Sequence, residues 1–379
     1  MSFSKLPDPL WVDQMQDLAD MVDYLMQQSI IAVDTESNSL YVYKEQVCLI
    51  QISSLTKDFL IDPLALDDLS SLGKLFASKS IQKVFHAAEY DLICLKRDFN
   101  FKIANIFDTM VAGRTLGYQS IGLAAMLERV FSVQVDKRYQ RANWGQRPLK
   151  AEMIAYASQD SHYLIPLRDI LIRKLEEQGR MALVEEDCMR LCTNAVASEN
   201  HAAGIWRIRG ASDLKPKQLS ALRAVYDFRE SIAMAANRPP FKVMSNQALM
   251  EVAQTLPKYT EELNLLPSLS KNQVQRYGKG LLQAVKSSKN TPPVPHKHNH
   301  RLDNAVLERR DDLSEWRKRA GRKIGVQSDV ILPRDVMNQI ADSNPKSLEE
   351  LSVIMRDVPY RFEHYGKDIL KVLQGEGRV

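Results

Sequence analysis

Four carboxylates set in or beside apolar stretches constrain the fold of this chain more than any other feature. Asp34 and Glu36 close the run Ile30-Ile31-Ala32-Val33, Asp91 follows Val84-Phe85-His86-Ala87-Ala88, and Asp160 stands four residues after Tyr156. A carboxylate in apolar surroundings is costly unless positive charge compensates it. Four together call for strong compensation, and the natural candidate is a pair of hard divalent cations. Magnesium prefers oxygen ligands and keeps several waters, so a few carboxylates and a substrate phosphate can hold it. Two such ions about 3.5–4 Å apart can clamp the attacking and leaving oxygens of a phosphodiester.

The spacings have local meaning as well. Side chains at i and i+2 of a strand share a face, so Asp34 and Glu36 project together; a polar strand end entering a turn has the same pattern. Asp91 is expected near the start of a helix, where an acid also complements the helix dipole. Tyr156 and Asp160, at i and i+4, share a helix face. Tyr163, three residues beyond Asp160, is a rival phenol. Asp108 reads as the N-cap of a helix running to Thr115. His86 receives no role.

With 379 residues the chain is suited to two or three domains. Up to about residue 200, short β-rich runs (29–34, 47–53, 58–61, 81–85) alternate with helical patterns (13–27, 66–77, 89–98, 120–130 and 148–175). That alternation predicts an α/β domain. Beyond residue 210 helices dominate and the chain repeats at an offset of 88 residues. Pro257-Lys258 matches Pro345-Lys346, Glu261-Glu262-Leu263 matches Glu349-Glu350-Leu351, and Tyr277-Gly278-Lys279 matches Tyr365-Gly366-Lys367. Two copies of one small helical module follow. Residues 289–300 between them carry prolines and read as a linker. His296, His298 and His300 alternate within it, and a solvated spacer is the expectation. The domains expected are therefore 1–205, 212–288 and 301–379.

Charge divides along the same line. Residues 1–200 carry 21 Lys and Arg against 27 Asp and Glu, whereas residues 201–379 carry 30 against 20. An acidic half suited to gathering metal precedes a basic half suited to polyphosphate. Arg223, Arg229, Lys242 and Lys279 are candidates for such contacts. The four cysteines lack zinc-site spacing, so free thiols are expected. No stretch approaches the roughly 20 apolar residues of a membrane span, and the first residues lack a signal-peptide core. A cytoplasmic protein without a membrane partner is the expectation. No phosphate-binding Gly-x-x-x-x-Gly-Lys-Ser/Thr loop is present, which disfavours an ATP-driven motor.

Asp-x-Glu on an apolar strand, Asp after a strand–helix junction and Tyr-x-x-x-Asp on a long helix, in that order, resemble the DEDD exonucleases of the ribonuclease H-like fold. The position five residues before the last Asp, histidine in one subgroup, is Ala155 here, so the tyrosine subgroup fits. Phe107-Asp108-Thr109, Asp136-Lys137 and Trp144 with Arg147-Pro148-Leu149 extend the likeness to the ribonuclease D family. The two C-terminal repeats resemble HRDC domains. Ser37 and Ala87 depart from the family, where many members have an aromatic residue and Asn; both bear on terminal-nucleotide contacts.

The resemblance implies an α/β ribonuclease H-like exonuclease domain, with a mixed sheet flanked by helices, followed by two small all-α HRDC domains. It implies metal ligation by Asp34, Glu36, Asp91 and Asp160, with Tyr156 acting on the attacking water. Two divalent ions, Mg²⁺ or alternatively Mn²⁺, are the implied cofactors. RNA is the implied partner, in the form of tRNA precursors with 3′ extensions, handled by a monomer that releases 5′-mononucleotides. Two alternatives stay open: a 3′–5′ DNA exonuclease, and a nucleic-acid-binding protein with an inactive nuclease fold.

Overall fold

This computed structural model describes residues 7–194, 201–290 and 303–376. Residues 291–300, with His296, His298 and His300, lie outside the described residues. The first part of the chain carries β1 (Leu10–Val12), α1 (Met15–Leu25), β2 (Ile30–Ser37), β3 (Val47–Ser53), β4 (Asp58–Ile61), α2 (Ser70–Ala77), β5 (Gln82–Phe85) and α3 (Glu89–Phe99). It continues through β6 (Ile106–Asp108), α4 (Thr109–Thr115), α5 (Leu123–Phe131), α6 (Ala151–His162), α7 (Leu164–Glu177) and α8 (Met181–Asn194). Among the described residues these six strands form one mixed sheet in the order β1-β4-β3-β2-β5-β6. β3 runs antiparallel to β2 and β4, while β2, β5 and β6 are parallel.

The strands follow from their side chains. β3 is Val-Cys-Leu-Ile-Gln-Ile-Ser, buried on both faces, as a near-continuous apolar run in a sheet covered on both sides requires. β1 and β6 have three residues each, too short to show the alternation that reveals a strand. Pairing with β4 and β5 creates them. The helix expected from 148 to 175 is two helices, parted at Tyr163. Pro166 is the reason: it has no N–H to give the His162 carbonyl, so an unbroken ladder cannot pass it.

Ten more α-helices follow among the described residues: α9 (Pro216–Ala235), α10 (Pro240–Val243), α11 (Asn246–Thr255), α12 (Thr260–Asn264), α13 (Lys271–Ser287), α14 (Asn304–Ile324), α15 (Ser328–Ile331), α16 (Arg334–Ser343), α17 (Leu348–Ile354) and α18 (Pro359–Leu373). The offset of 88 residues holds helix by helix. Thus α10 and α11 begin at 240 and 246, and α15 and α16 begin at 328 and 334. Each five-helix module has its own apolar core, around Leu222, Leu249 and Leu281 in the first and around Leu313, Ile340 and Ile369 in the second.

The chain forms two compact units. Of the described residues, one takes those within 1–37, 47–197 and 301–379, which joins the second module to the α/β domain; the other takes those within 38–46 and 198–300. Within the latter, the Tyr43 hydroxyl donates to Glu230 at 3.2 Å and its backbone N–H to Asn237 at 3.2 Å. No helix among the described residues is long and apolar enough to cross a membrane.

Candidate active site

The site forms where β2 runs out of the core. Ile31, Ala32 and Val33 are fully buried, whereas Asp34 and Glu36 keep a partial opening to solvent. α6 packs across β2, β3 and β4, and its Asp160 comes down beside that strand end. Oxygens of Asp34, Glu36 and Asp160 lie within 4.8 Å of one another. Ser161, the next residue of α6, is bonded to Ser53 of β3 at 2.7 Å, which fixes the helix against the sheet.

Asp91 lies just outside that triangle. It is 7% exposed, sits in the first turn of α3 and accepts a 2.5 Å hydrogen bond from the Thr35 hydroxyl. Its charge nonetheless acts on Glu36 and Asp160, and Asp34 acts on it. Three of the four expected carboxylates therefore share one potential ion position, with the fourth at its edge.

Electrostatics shows what the cluster lacks. Burial, and then the charge of Asp160, pushes the Asp34 carboxyl well above its usual range. Burial and then Asp34 do the same to Glu36. Asp91 is raised by burial and then by Asp34, against the Thr35 hydrogen bond. Asp160 is pushed up to about 7 by burial, partly offset by a hydrogen bond from Tyr156. Among the described residues no Lys, Arg or His pairs with any of the four. An all-oxygen donor set that repels itself and has no cation of its own fits a hard divalent ion.

Tyr156 and Tyr163 occupy different environments. Tyr156 packs on Trp144 and Tyr139, each with ring centroids 6.1 Å away, and its hydroxyl donates to Asp160. Arg147 secures the same wall by bonding Asp62 and the Cys48 and Trp144 carbonyls. Burial and then the Asp160, Glu36 and Asp34 charges raise the Tyr156 phenol far above its usual range. Tyr163 packs on Phe131 and His162, and the charge it feels is Asp58.

Two residues not singled out from the sequence belong to this place. Thr35 lies between Asp34 and Glu36 and holds Asp91. Gln51 stands opposite Asp34 in the β2–β3 register, so both side chains leave the same face. It is fully buried, and neither amide atom has a partner among the described residues. Only the strand register reveals it, since its own neighbours read as plain core.

The basic candidates of the first module divide. Arg229 is buried and bonded to the Met244 carbonyl, Asn246 and Glu230. Arg223 pairs with Asp227 at 2.9 Å, and Lys242 lies 4.5 Å from the Tyr41 ring. Lys279 instead lines a cavity of about 380 Å³ with Lys258, Lys286 and Lys289. Lys217 lines an adjoining cavity that shares Leu256, Val285 and Lys289. All five lysines are exposed. Ala305 and Gln374 stand where a second Lys217 and Lys286 would be, so the full cluster belongs to the first module alone.

Comparison with known proteins finds matches over most of the chain. Residues 9–176 match the family described as 3′-5′ exonuclease, and residues 218–285 and 306–373 each match the HRDC domain. The exosome complex component 10 homolog of Caenorhabditis elegans is 34% identical over 265 residues, covering 68% of this chain and 30% of that protein. Ribonuclease D of Gluconacetobacter diazotrophicus is 29% identical over 289 residues, covering 76% and 73%. The crystal structure of Escherichia coli RNase D shares the fold, with a TM-score of 0.75 at 23% identity over 98% of this chain and 100% of that one. The chain spans about a third of the length of the first exosome relatives it matches.

Proposed function

We propose, from the fact that this chain belongs to the 3′–5′ exonuclease family and carries two HRDC domains, that it is a 3′–5′ exoribonuclease. It removes nucleotides one at a time from the 3′ end of RNA and releases 5′-mononucleotides. Its substrates are tRNA precursors with 3′ extensions, and its cofactor is a pair of Mg²⁺ ions. The observation that carries the reading is the approach of Asp34, Glu36 and Asp160 to within 4.8 Å, with Asp91 at their edge. The choice of RNA is supported by a relative that bears the name ribonuclease D.

Asp34, Glu36, Asp91 and Asp160 would hold the ions. Bound there, they would supply the charge that orients a water for attack on phosphorus and stabilises the departing 3′ oxygen. Tyr156 keeps its proton, because every nearby charge and its burial oppose the phenolate. Its part is to hold the Asp160 carboxylate in place and donate within the site, not to act as general base. The lysines around Lys279 take RNA phosphates as point charges.

The test is degradation of a 5′-labelled RNA with a single-stranded 3′ extension, beside DNA of the same sequence, with Mg²⁺ or chelator. Progressive shortening of the RNA with Mg²⁺, absent in Asp34→Asn, supports the reading. Equal turnover of DNA would redirect it to a DNA exonuclease.

A further inference from the structure

Asp108 does more than its position before α4 requires. It is 1% exposed, and its two oxygens accept four backbone N–H groups. Two of these, Met110 at 2.7 Å and Val111 at 3.2 Å, belong to α4, whose N-cap it is. The other two are Ala87 at 3.1 Å and Ala88 at 2.8 Å. Those residues form the turn that launches α3, and Ala88 is that helix's N-cap, three residues before Asp91.

That turn needs holding. Ala87 has φ of 61°, in the left-handed region that L-residues other than Asn and Asp rarely occupy. Its methyl side chain offers no hydrogen bond that would stabilise the conformation from within. Thr109 grips the same turn: its hydroxyl donates to the Phe85 carbonyl at 3.1 Å and so accepts from His86 Nδ1 at 2.9 Å. Residues 108 and 109 thus bind four successive residues, 85 to 88, while Thr35 holds the Asp91 carboxylate from the other side.

The geometry points to Asp108 as a positioning residue for Asp91: it clamps the strained Ala87–Ala88 turn and thereby sets where the first turn of α3 delivers its carboxylate. The inference rests on the reading of Asp91 as a metal ligand. Hydrogen-bonded supports of ligands typically govern metal affinity or activity by about 10–100-fold. In Asp108→Asn an amide nitrogen replaces one acceptor oxygen, so part of the clamp is lost.

The full-length protein tests this through Mn²⁺ binding, read as free Mn²⁺ by electron paramagnetic resonance, alongside kcat and KM on RNA. Asp108→Asn is expected to weaken Mn²⁺ binding by about 10–100-fold and to lower kcat with little change in KM for RNA. Adding Ala87→Gly removes the left-handed penalty and is expected to restore Mn²⁺ binding severalfold; a mere cap of α4 would not respond to residue 87. Wild-type Mn²⁺ binding in Asp108→Asn overturns the assignment, as does a folded double variant that binds no better than the single one. Should Asp108→Asn fail to fold, Thr109→Val decides: weaker Mn²⁺ binding supports the clamp, and unchanged binding overturns it. Asp34→Asn separates the two levels. If it loses Mn²⁺ while Asp108→Asn does not, positioning fails and the exonuclease reading stands. If it binds Mn²⁺ and degrades RNA like the wild type, both fall.

Discussion

The Glu186 carboxylate, on α8, receives both the backbone N–H of Arg361 at 3.3 Å and its guanidinium at 2.8 Å, on α18. It also accepts from the Tyr360 N–H, so an acid of the α/β domain caps the last helix of the second module. Arg361 is fully buried and completes its bonds with Asp187 and the Val330 carbonyl. The first module does otherwise: α13 has its own capping box of Ser270 and Gln273. Val358 and Arg361 stand at those positions in α18.

The two modules should therefore respond differently to loss of these groups. Arg361→Met leaves two buried carboxylates without their cation and is expected to cost about 3–5 kcal/mol. Ser270→Ala removes only a local cap, at about 1 kcal/mol. Urea unfolding followed by circular dichroism measures both. A loss below that of Ser270→Ala in Arg361→Met would contradict the account.

The carboxylate cluster predicts a pH dependence of the metal-free protein. Asp160, raised to about 7, binds its proton more tightly in the folded than in the unfolded chain. Its stabilising contribution is therefore full below about pH 4 and is lost as pH rises through about 7. Each unit of elevation corresponds to about 1.4 kcal/mol. In chelator, the wild type should lose stability against Asp160→Asn between pH 4 and 7, and Mg²⁺ at pH 8 should narrow the gap. Parallel thermal melts across that range, with no divergence, would contradict it.

The phenols should separate cleanly. Tyr156→Phe loses a hydrogen bond to a charged group, worth about 1.5–3 kcal/mol, so kcat should fall about 10–100-fold. Tyr163→Phe should leave kcat within about twofold, since Tyr163 packs away from the acidic cluster. A wild-type rate that climbs between pH 7 and 9 and is flat in Tyr156→Phe would make the phenol a base, against this account.

RNA affinity should depend on lysines rather than on the first module's arginines. For single strands each phosphate contact contributes a log–log salt slope of about −0.7. Changing Lys258, Lys279 and Lys286 together to Ala should flatten the slope by about 2. Arg223→Ala, which breaks only an exposed i,i+4 pair, should leave it unchanged. Fluorescence anisotropy over a salt series decides, and an unaltered slope in the triple variant would remove the cluster from the binding surface.

Much of this architecture is legible in the chain because its signals are local. β3 and β4 begin and end where the residue pattern places them, and Asp108 caps α4 as its type suggests. The repeat is legible since matched residues keep one offset, at which the helices of both copies also begin. What escapes the sequence is made by contact between distant segments. Gln51 becomes a site residue only through its register with Asp34. The Asp108 bonds to Ala87 and Ala88 span 20 residues or more. Arg229 reads in the sequence as available for phosphate, whereas its burial places it in the module's core. Glu186 and Arg361 lie 175 residues apart, and no periodicity joins them.

Whether Asp34, Glu36, Asp91 and Asp160 carry out 3′–5′ hydrolysis is decided by a time course on 5′-labelled RNA with Mg²⁺, for the wild type and Asp34→Asn, with products identified by chromatography. Metal-dependent hydrolysis at these carboxylates predicts a ladder that shortens from the 3′ end and accumulates 5′-mononucleotides, abolished by chelator and by Asp34→Asn. Intact RNA in the wild-type reaction, or equal degradation in Asp34→Asn, would contradict it.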